Sequence, residues 1–262
     1  MANTDFLELP LISEGQRSAE ASHNEAIDGI DVFLDSSKTC FFEDDFIGRT
    51  SVNSAPFIET SSGTGADVDT NVRASEVNHP GIASMTTGTT TTGYASIVSR
   101  YASGILLGGG VWRLRVIFLV PTLSDGTDTY TLHVGFGDSQ VGGNPTDGAF
   151  LRYTHGTNSG KFEAVTRANG TETATDTGVT VAIDTWYRLD IIVNADASEV
   201  EFYVREDGTG DSNLVATNTT NIPSGTGRET AVQLSILKSA GTSARLAHVD
   251  YASGRCTLTT QR

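Results

Sequence analysis

The feature that most constrains this chain is a strict alternation of apolar and polar residues, which recurs in short runs from Trp112 to Tyr251. In Trp112–Val120, the residues Trp112, Leu114, Val116, Phe118 and Val120 fall on one face, with Arg113, Arg115, Ile117 and Leu119 on the other. A period of two sends successive side chains to opposite sides of an extended strand, so such a run needs a core against one face only. Thr129–Phe136 repeats the pattern, setting Tyr130, Leu132, Val134 and Phe136 against Thr131, His133 and Gly135, and is the expected partner of the first strand. Thr185–Val193 sets Tyr187, Leu189, Ile191 and Val193 against Trp186, Arg188, Asp190 and Ile192, and the next run sets Val200, Phe202 and Val204 against Glu201, Tyr203 and Arg205. Phe150–Thr154, Lys161–Arg167, Ala231–Leu237 and Ala244–Tyr251 extend the set, and Asn169-Gly170 supplies the left-handed φ of a tight hairpin. Upstream, Met85–Tyr94 reads as two edge-like strands joined by a Thr/Gly connection, and residues 46–78 as long loops around one short strand at Pro56–Thr60. Roughly a dozen short strands separated by turns predict a mainly β, antiparallel, two-sheet sandwich.

At 262 residues the chain is long enough to bury a real core, and its abundant Gly, Ser and Thr favour strands and turns. The formal net charge of −15 repels phosphate backbones and anionic headgroups, so neither nucleic acid nor a membrane is an expected partner. No apolar run approaches the ~20 residues of a membrane-spanning helix. The acidic start lacks the basic and apolar regions of a signal peptide, so assembly in a cytosol is expected. Cys40 and Cys256 form neither a metal spacing nor a redox motif. Two readings of them stand: a pair of separate buried thiols, or neighbours in a fold whose first and last strands adjoin, where a disulfide requires Cα atoms within ~7 Å.

Before the strands, Ser18 to Leu34 carries a helical pattern, with Ser18 at an N-cap position and Glu20 in the first turn. Glu20, His23, Ile27, Ile30 and Leu34 are spaced by threes and fours, a short seam of which Ile27, Ile30 and Leu34 are the apolar part. A helix this short is marginal alone, and Gly29 weakens it by roughly 1 kcal/mol relative to Ala, so it needs a partner surface. Isoleucines at both seam positions lean toward a homotrimer. The helical period stops after Asp35-Ser36-Ser37, which divides the chain into an arm, residues 1–38, and a β domain, residues 39–262.

The arm carries a resemblance. Its Leu9-Pro10-Leu11, Gly15-Gln16 and His23-Asn24-Glu25-Ala26, followed by Asp31, resemble the N-terminal motif of a group of tailed-phage and gene-transfer-agent structural proteins. It departs from them in having no Lys between Gln16 and His23 and in carrying Ser22 where Thr is usual. The resemblance covers roughly the first 35 residues. It implies a virion location, other virion proteins as partners, and virion-anchoring roles for Leu9, Pro10, Leu11, Gly15, Gln16, His23, Asn24 and Glu25. The alternative for the arm is that it packs on its own β domain. Residues 180–251 resemble the second half of concanavalin A-like jelly rolls, which implies that fold with a short N-terminal helical arm, but not its chemistry.

No catalytic set emerges. Glu199-Val200-Glu201 is a fragment of the E-x-D-x-E strand of some concanavalin A-like glycosidases, and the histidines at 23, 79, 133, 155 and 248 have neither metal nor triad spacing. The acidic runs Glu43-Asp44-Asp45 and Asp207–Asp211 read as solvated turns better than as calcium loops, and Gly108-Gly109-Gly110 as a turn rather than a phosphate cradle. The expectation is a non-enzymatic protein without cofactor or metal. Arg113, Arg115, His133, Trp186, Arg188, Glu201, Tyr203 and Arg205 are expected on the side of the strands opposite the core. Trp186, Arg188, Tyr203 and Arg205 in particular suit stacking on sugars and recognition of hydroxyl groups, a subunit interface, or simply the outer face of an amphipathic sheet. Together these features predict a bacteriophage virion structural protein (fibre, spike or decoration) with a cell-surface glycan as a further partner. The alternative is a carbohydrate-binding module or glycan-degrading enzyme.

Overall fold

The computed structural model describes residues 35, 37–47, 57–72, 77–99, 104–210 and 213–262. The virion-anchoring residues Leu9 to Glu25 and the seam residues Ile27, Ile30 and Leu34 lie outside the described residues. Fifteen strands are found among those described: β1 (Thr39–Asp44), β2 (Phe57–Ser62), β3 (Ala66–Val72), β4 (Ile82–Thr87), β5 (Tyr94–Ser99), β6 (Gly110–Val120), β7 (Thr129–Gly137), β8 (Gly148–Thr154), β9 (Lys161–Ala168), β10 (Thr171–Thr180), β11 (Thr185–Val193), β12 (Val200–Glu206), β13 (Asn213–Asn218), β14 (Ala231–Ala240) and β15 (Leu246–Leu258).

They form two antiparallel sheets. The front sheet runs β13-β12-β11-β6-β15-β4-β3, with β1 also paired to β15, and the back sheet runs β10-β9-β8-β7-β14-β5-β2. The alternation in the sequence is the reason they stack: Trp112, Leu114, Val116 and Phe118 of β6 are buried on the same core as Tyr130, Leu132, Val134 and Phe136 of β7. Aromatic rings interdigitate across the gap. Phe118 and Tyr187 of the front sheet meet Phe162 of β9 edge-on at 5.9 and 5.2 Å, and Trp112 meets Phe136 at 6.3 Å. The Asn169-Gly170 turn between β9 and β10 has φ of 52° and 78°, the left-handed pair that a two-residue hairpin requires.

Several sequence expectations are corrected. β6 does not pair with β7; its neighbours are β11 and β15, and β7 sits between β8 and β14 in the other sheet. Alternation records which face is buried, and either sheet buries such a face equally well. β4 and β5 are not edge strands: each is flanked on both sides, in opposite sheets, and most of their side chains are buried. The region expected to hold one short strand also contains β3.

The last strand runs seven residues beyond Tyr251 and organises the front sheet. One flank of β15 pairs with β6 along its length; the other pairs with β4 in its first half and with β1 in its second. A register shift between Val249 and Tyr251 marks a bulge at Asp250. Before it, Ala247 and Val249 face the core; after it, Ala252 and Cys256 do, so Tyr251, Ser253 and Arg255 emerge on the outer face. Gly254 lies opposite Phe42, whose ring would meet a Cβ there at 2.3 Å, and this close approach lets Phe42 reach Phe57 of the back sheet. Cys40 and Cys256 are cross-strand neighbours, as a fold with adjoining first and last strands requires, and both are free thiols. Burial, and then the adjacent Cys40 thiol, push the Cys256 thiol up to about 12.

Candidate functional site

On the outer face of the front sheet, five strands build three transverse rows of side chains. The central row is Tyr203, Asp190, Arg115, Ser253 and Glu43, each a register partner of the next across β12, β11, β6, β15 and β1. Two residues along each strand, a second row reads Glu201, Ile192, Arg113, Arg255 and Phe41. On the other side of the central row lie Arg205, Arg188, Ile117 and Tyr251. At ~4.8 Å between strands the central row spans roughly 19 Å. The rows enclose a depression of 510 Å³ that includes Phe41, Arg113, Arg115, Arg188, Tyr203 and Arg255, a size typical of small-ligand sites.

Its polar groups are fixed by one another. Asp190 accepts from Arg115 Nε at 2.6 Å on one oxygen and from Arg188 Nε at 2.9 Å on the other. The Tyr251 hydroxyl donates to Glu43 at 3.1 Å, and the Tyr203 hydroxyl to Glu201 at 3.0 Å. Partial burial first, and then a hydrogen-bonded carboxylate, raises both phenols above their ordinary value, so they stay protonated as donors. Arg113 is exposed, directly opposite Arg255, and the Phe41 ring beside them is 53 % exposed. The site thus offers forked donors, two phenolic hydroxyls and an aromatic face on a floor fixed by strand pairing.

The sequence-predicted face is assembled in part. Arg113, Arg115, Arg188 and Tyr203 line the depression, and Glu201 stands at its rim. His133 does not belong to it. It lies on β7 in the back sheet, buried, with Nε2 2.8 Å from Asn144 of the 138–147 segment. Trp186 is on the correct face but covered: His79 stacks on it at 3.9 Å and 13°, and Ile82 and Leu119 close the small cluster. His79 is held there by Asp250 of the bulge, Nδ1 to Oδ2 at 3.0 Å. Arg205 turns away from the depression to donate to the carbonyl oxygens of Thr209 and Gly210. Phe41, Glu43, Tyr251, Ser253 and Arg255 were missed as site residues. The alternation of small residues Ala252, Gly254 and Cys256 with Ser253, Arg255 and Thr257 carried the signal, but too weakly in hydropathy to register as a strand. Among the described residues, no group of three or more His, Cys, Asp or Glu side chains is placed to hold a metal ion.

Comparison with known proteins supports this architecture. The protein of unknown function SO2946 from Shewanella oneidensis MR-1 superposes with a TM-score of 0.65 at 14% identity, covering 98% of this chain and 99% of that one. The lectin UEA-II complexed with galactose has a TM-score of 0.55 at 12% identity, covering 84% and 99% of the two chains. The Emp47p carbohydrate recognition domain has a TM-score of 0.54 at 13% identity, covering 86% and 99%. These likenesses establish a lectin-type, concanavalin A-like jelly roll. Among curated protein sequences none matches the chain. The model of the SO2946-like C-terminal domain matches residues 78–250, which take in β4 to β14 and the start of β15, and the chain therefore belongs to the SO2946-like family.

Proposed function

We propose that this chain is a bacteriophage virion structural protein (fibre, spike or decoration) that docks through its N-terminal arm and displays the sandwich outward as a non-catalytic saccharide-binding module. The docking half of the reading rests on the Leu9-Pro10-Leu11, Gly15-Gln16 and His23-Asn24-Glu25 pattern. The display half rests on one observation, the open depression across β1, β15, β6, β11 and β12, with its guanidinium forks and exposed Phe41. Forked donors and an apolar ring face suit sugar hydroxyls and the sugar's apolar side. Binding rather than turnover fits its carboxylates, because each oxygen of Asp190 already accepts from an arginine and Glu43 accepts from Tyr251. The lectin-named neighbours bind carbohydrate on the same kind of sandwich, which is consistent with this use.

The Ile27, Ile30 and Leu34 seam supports a homotrimer, in which three arms bury their apolar stripe together. The test is incorporation. Purified particles from a producing strain should contain the full chain by mass spectrometry, and a chain lacking residues 1–37 should be soluble, with the circular dichroism of a β sandwich, yet absent from particles. Absence of the full chain from particles, or unchanged incorporation of the shortened one, would overturn the docking half. A free carbohydrate-binding module is the second reading, favoured by the depression alone, and it is the one left if the particles lack the protein.

A further inference from the structure

The charge of the depression runs against that of the molecule. The whole chain carries a formal −15, yet the residues lining this site include four arginines, Arg113, Arg115, Arg188 and Arg255, against two carboxylates, Glu43 and Asp190. Two of those arginines share Asp190, which nearly neutralises the centre of the floor. The excess lies in the second row, where Arg113 and Arg255 are direct register partners on β6 and β15. Like charges directly opposite on adjacent strands destabilise a sheet, and Ser or Thr would serve there at no such cost. Nothing about the fold demands the pair: both side chains project away from the core, and their strands are already fixed by Leu114, Val116, Ala252 and Cys256 beneath them. Glu201, at the far end of this row beyond Ile192, accepts the Tyr203 hydroxyl, and Phe41 closes the near end beside Arg255.

We propose that the Arg113/Arg255 pair makes the depression a site for a saccharide bearing a carboxylate, such as a uronate or sialate residue, with the carboxylate between the two guanidinium groups and the sugar ring against Phe41. This deepens the saccharide-binding reading above and rests on it. A guanidinium meets a carboxylate through two parallel hydrogen bonds, and an exposed aromatic ring takes the apolar side of a pyranose. One or two isolated carboxylates match an excess of two charges. A nucleic acid does not, since its dense phosphate charge would extend past the depression onto an acidic surface.

Calorimetric titration of the full chain decides it, using tetragalacturonate, an α2,8-linked sialic acid tetramer, uncharged maltotetraose and a single-stranded DNA oligonucleotide as probes. At low salt, at least one of the two acidic tetrasaccharides should bind about ten-fold or more tightly than maltotetraose, an advantage that salt erodes. The double variant Arg113→Gln/Arg255→Gln should lose that advantage while its melting temperature stays equal to or above that of the parent, because repulsion has been relieved. That combination separates a ligand-binding role from a structural one. Arg167→Gln, on the back sheet, should bind as the parent does. Maltotetraose binding as tightly as the acidic probes would overturn the carboxylate assignment and leave saccharide binding standing. Binding of no saccharide would overturn both, and tighter binding of the oligonucleotide would overturn the ligand class.

Discussion

His133 shows how much a single side chain's place in the sandwich decides. Buried on the outer side of the back sheet under the 138–147 segment, it has its Nε2 beside Asn144 and its ring edge-on to Phe150 at 5.2 Å. Burial pushes its pKa down from 6.5 to about 4, against the weaker opposing effect of the Asn144 hydrogen bond. The folded protein therefore refuses a proton that the unfolded chain accepts at about 6.5. The contribution of His133 to stability is complete above that pH and is lost as pH falls from 6.5 toward 4, to an extent on the order of 3 kcal/mol. Urea unfolding of the parent and of His133→Gln, compared at roughly pH 7 and pH 4, should show the gap between the two proteins shifting by that amount against the parent on acidification; a constant gap would contradict the assignment. The sequence placed His133 on a solvent face because alternation reports only which side of a strand is opposite the main core. Trp186 was misjudged for the same reason: a strand pattern cannot show that His79, 107 positions earlier, returns to cover the ring. Arg113, Arg115, Arg188 and Tyr203 were legible because long polar side chains between core residues have nowhere to go but outward.

At the level of elements, the bulge in β15 has the widest effect. One extra residue, Asp250, reverses the parity of the strand, so Ala247 and Val249 point inward before it and Ala252 and Cys256 after it. Without it, Tyr251, Ser253 and Arg255 would turn into the core and the depression would lose one wall. Deleting Asp250 should therefore abolish soluble folded protein, whereas Asp250→Asn, which preserves the residue count, should fold and melt cooperatively with a modest loss from its weakened contact to His79. Thermal unfolding followed by far-ultraviolet circular dichroism distinguishes them, and a deletion variant that melts like the parent would refute the parity argument. Such a bulge was not legible, because the run His248-Val249-Asp250-Tyr251 reads equally well as a strand end. By contrast, the Asn169-Gly170 hairpin and the β11–β12 pair were read correctly, since turn chemistry and register are local there.

Over the whole molecule, the sequence conveyed the class of architecture but not the sheet to which each strand belongs. β6 and β7 follow one another in the chain yet lie in opposite layers, and the connection 121–128 that separates them carries no pattern distinguishing a crossing from a hairpin. The depression depends on that long-range order: its five strands are the first, sixth, eleventh, twelfth and last, a set no local window contains. The same order stitches the two ends of the described sandwich together. Leu258 N donates to Lys38 O at 2.7 Å, and Arg262 N donates to Ser37 O at 3.0 Å. The polypeptide is therefore nearly a closed ring, and its opening could be moved elsewhere. A circular permutant joined across this seam and cut between Asn169 and Gly170 would retain every strand pairing of both sheets, and would move the point of attachment from beside the depression to the far tip of the back sheet.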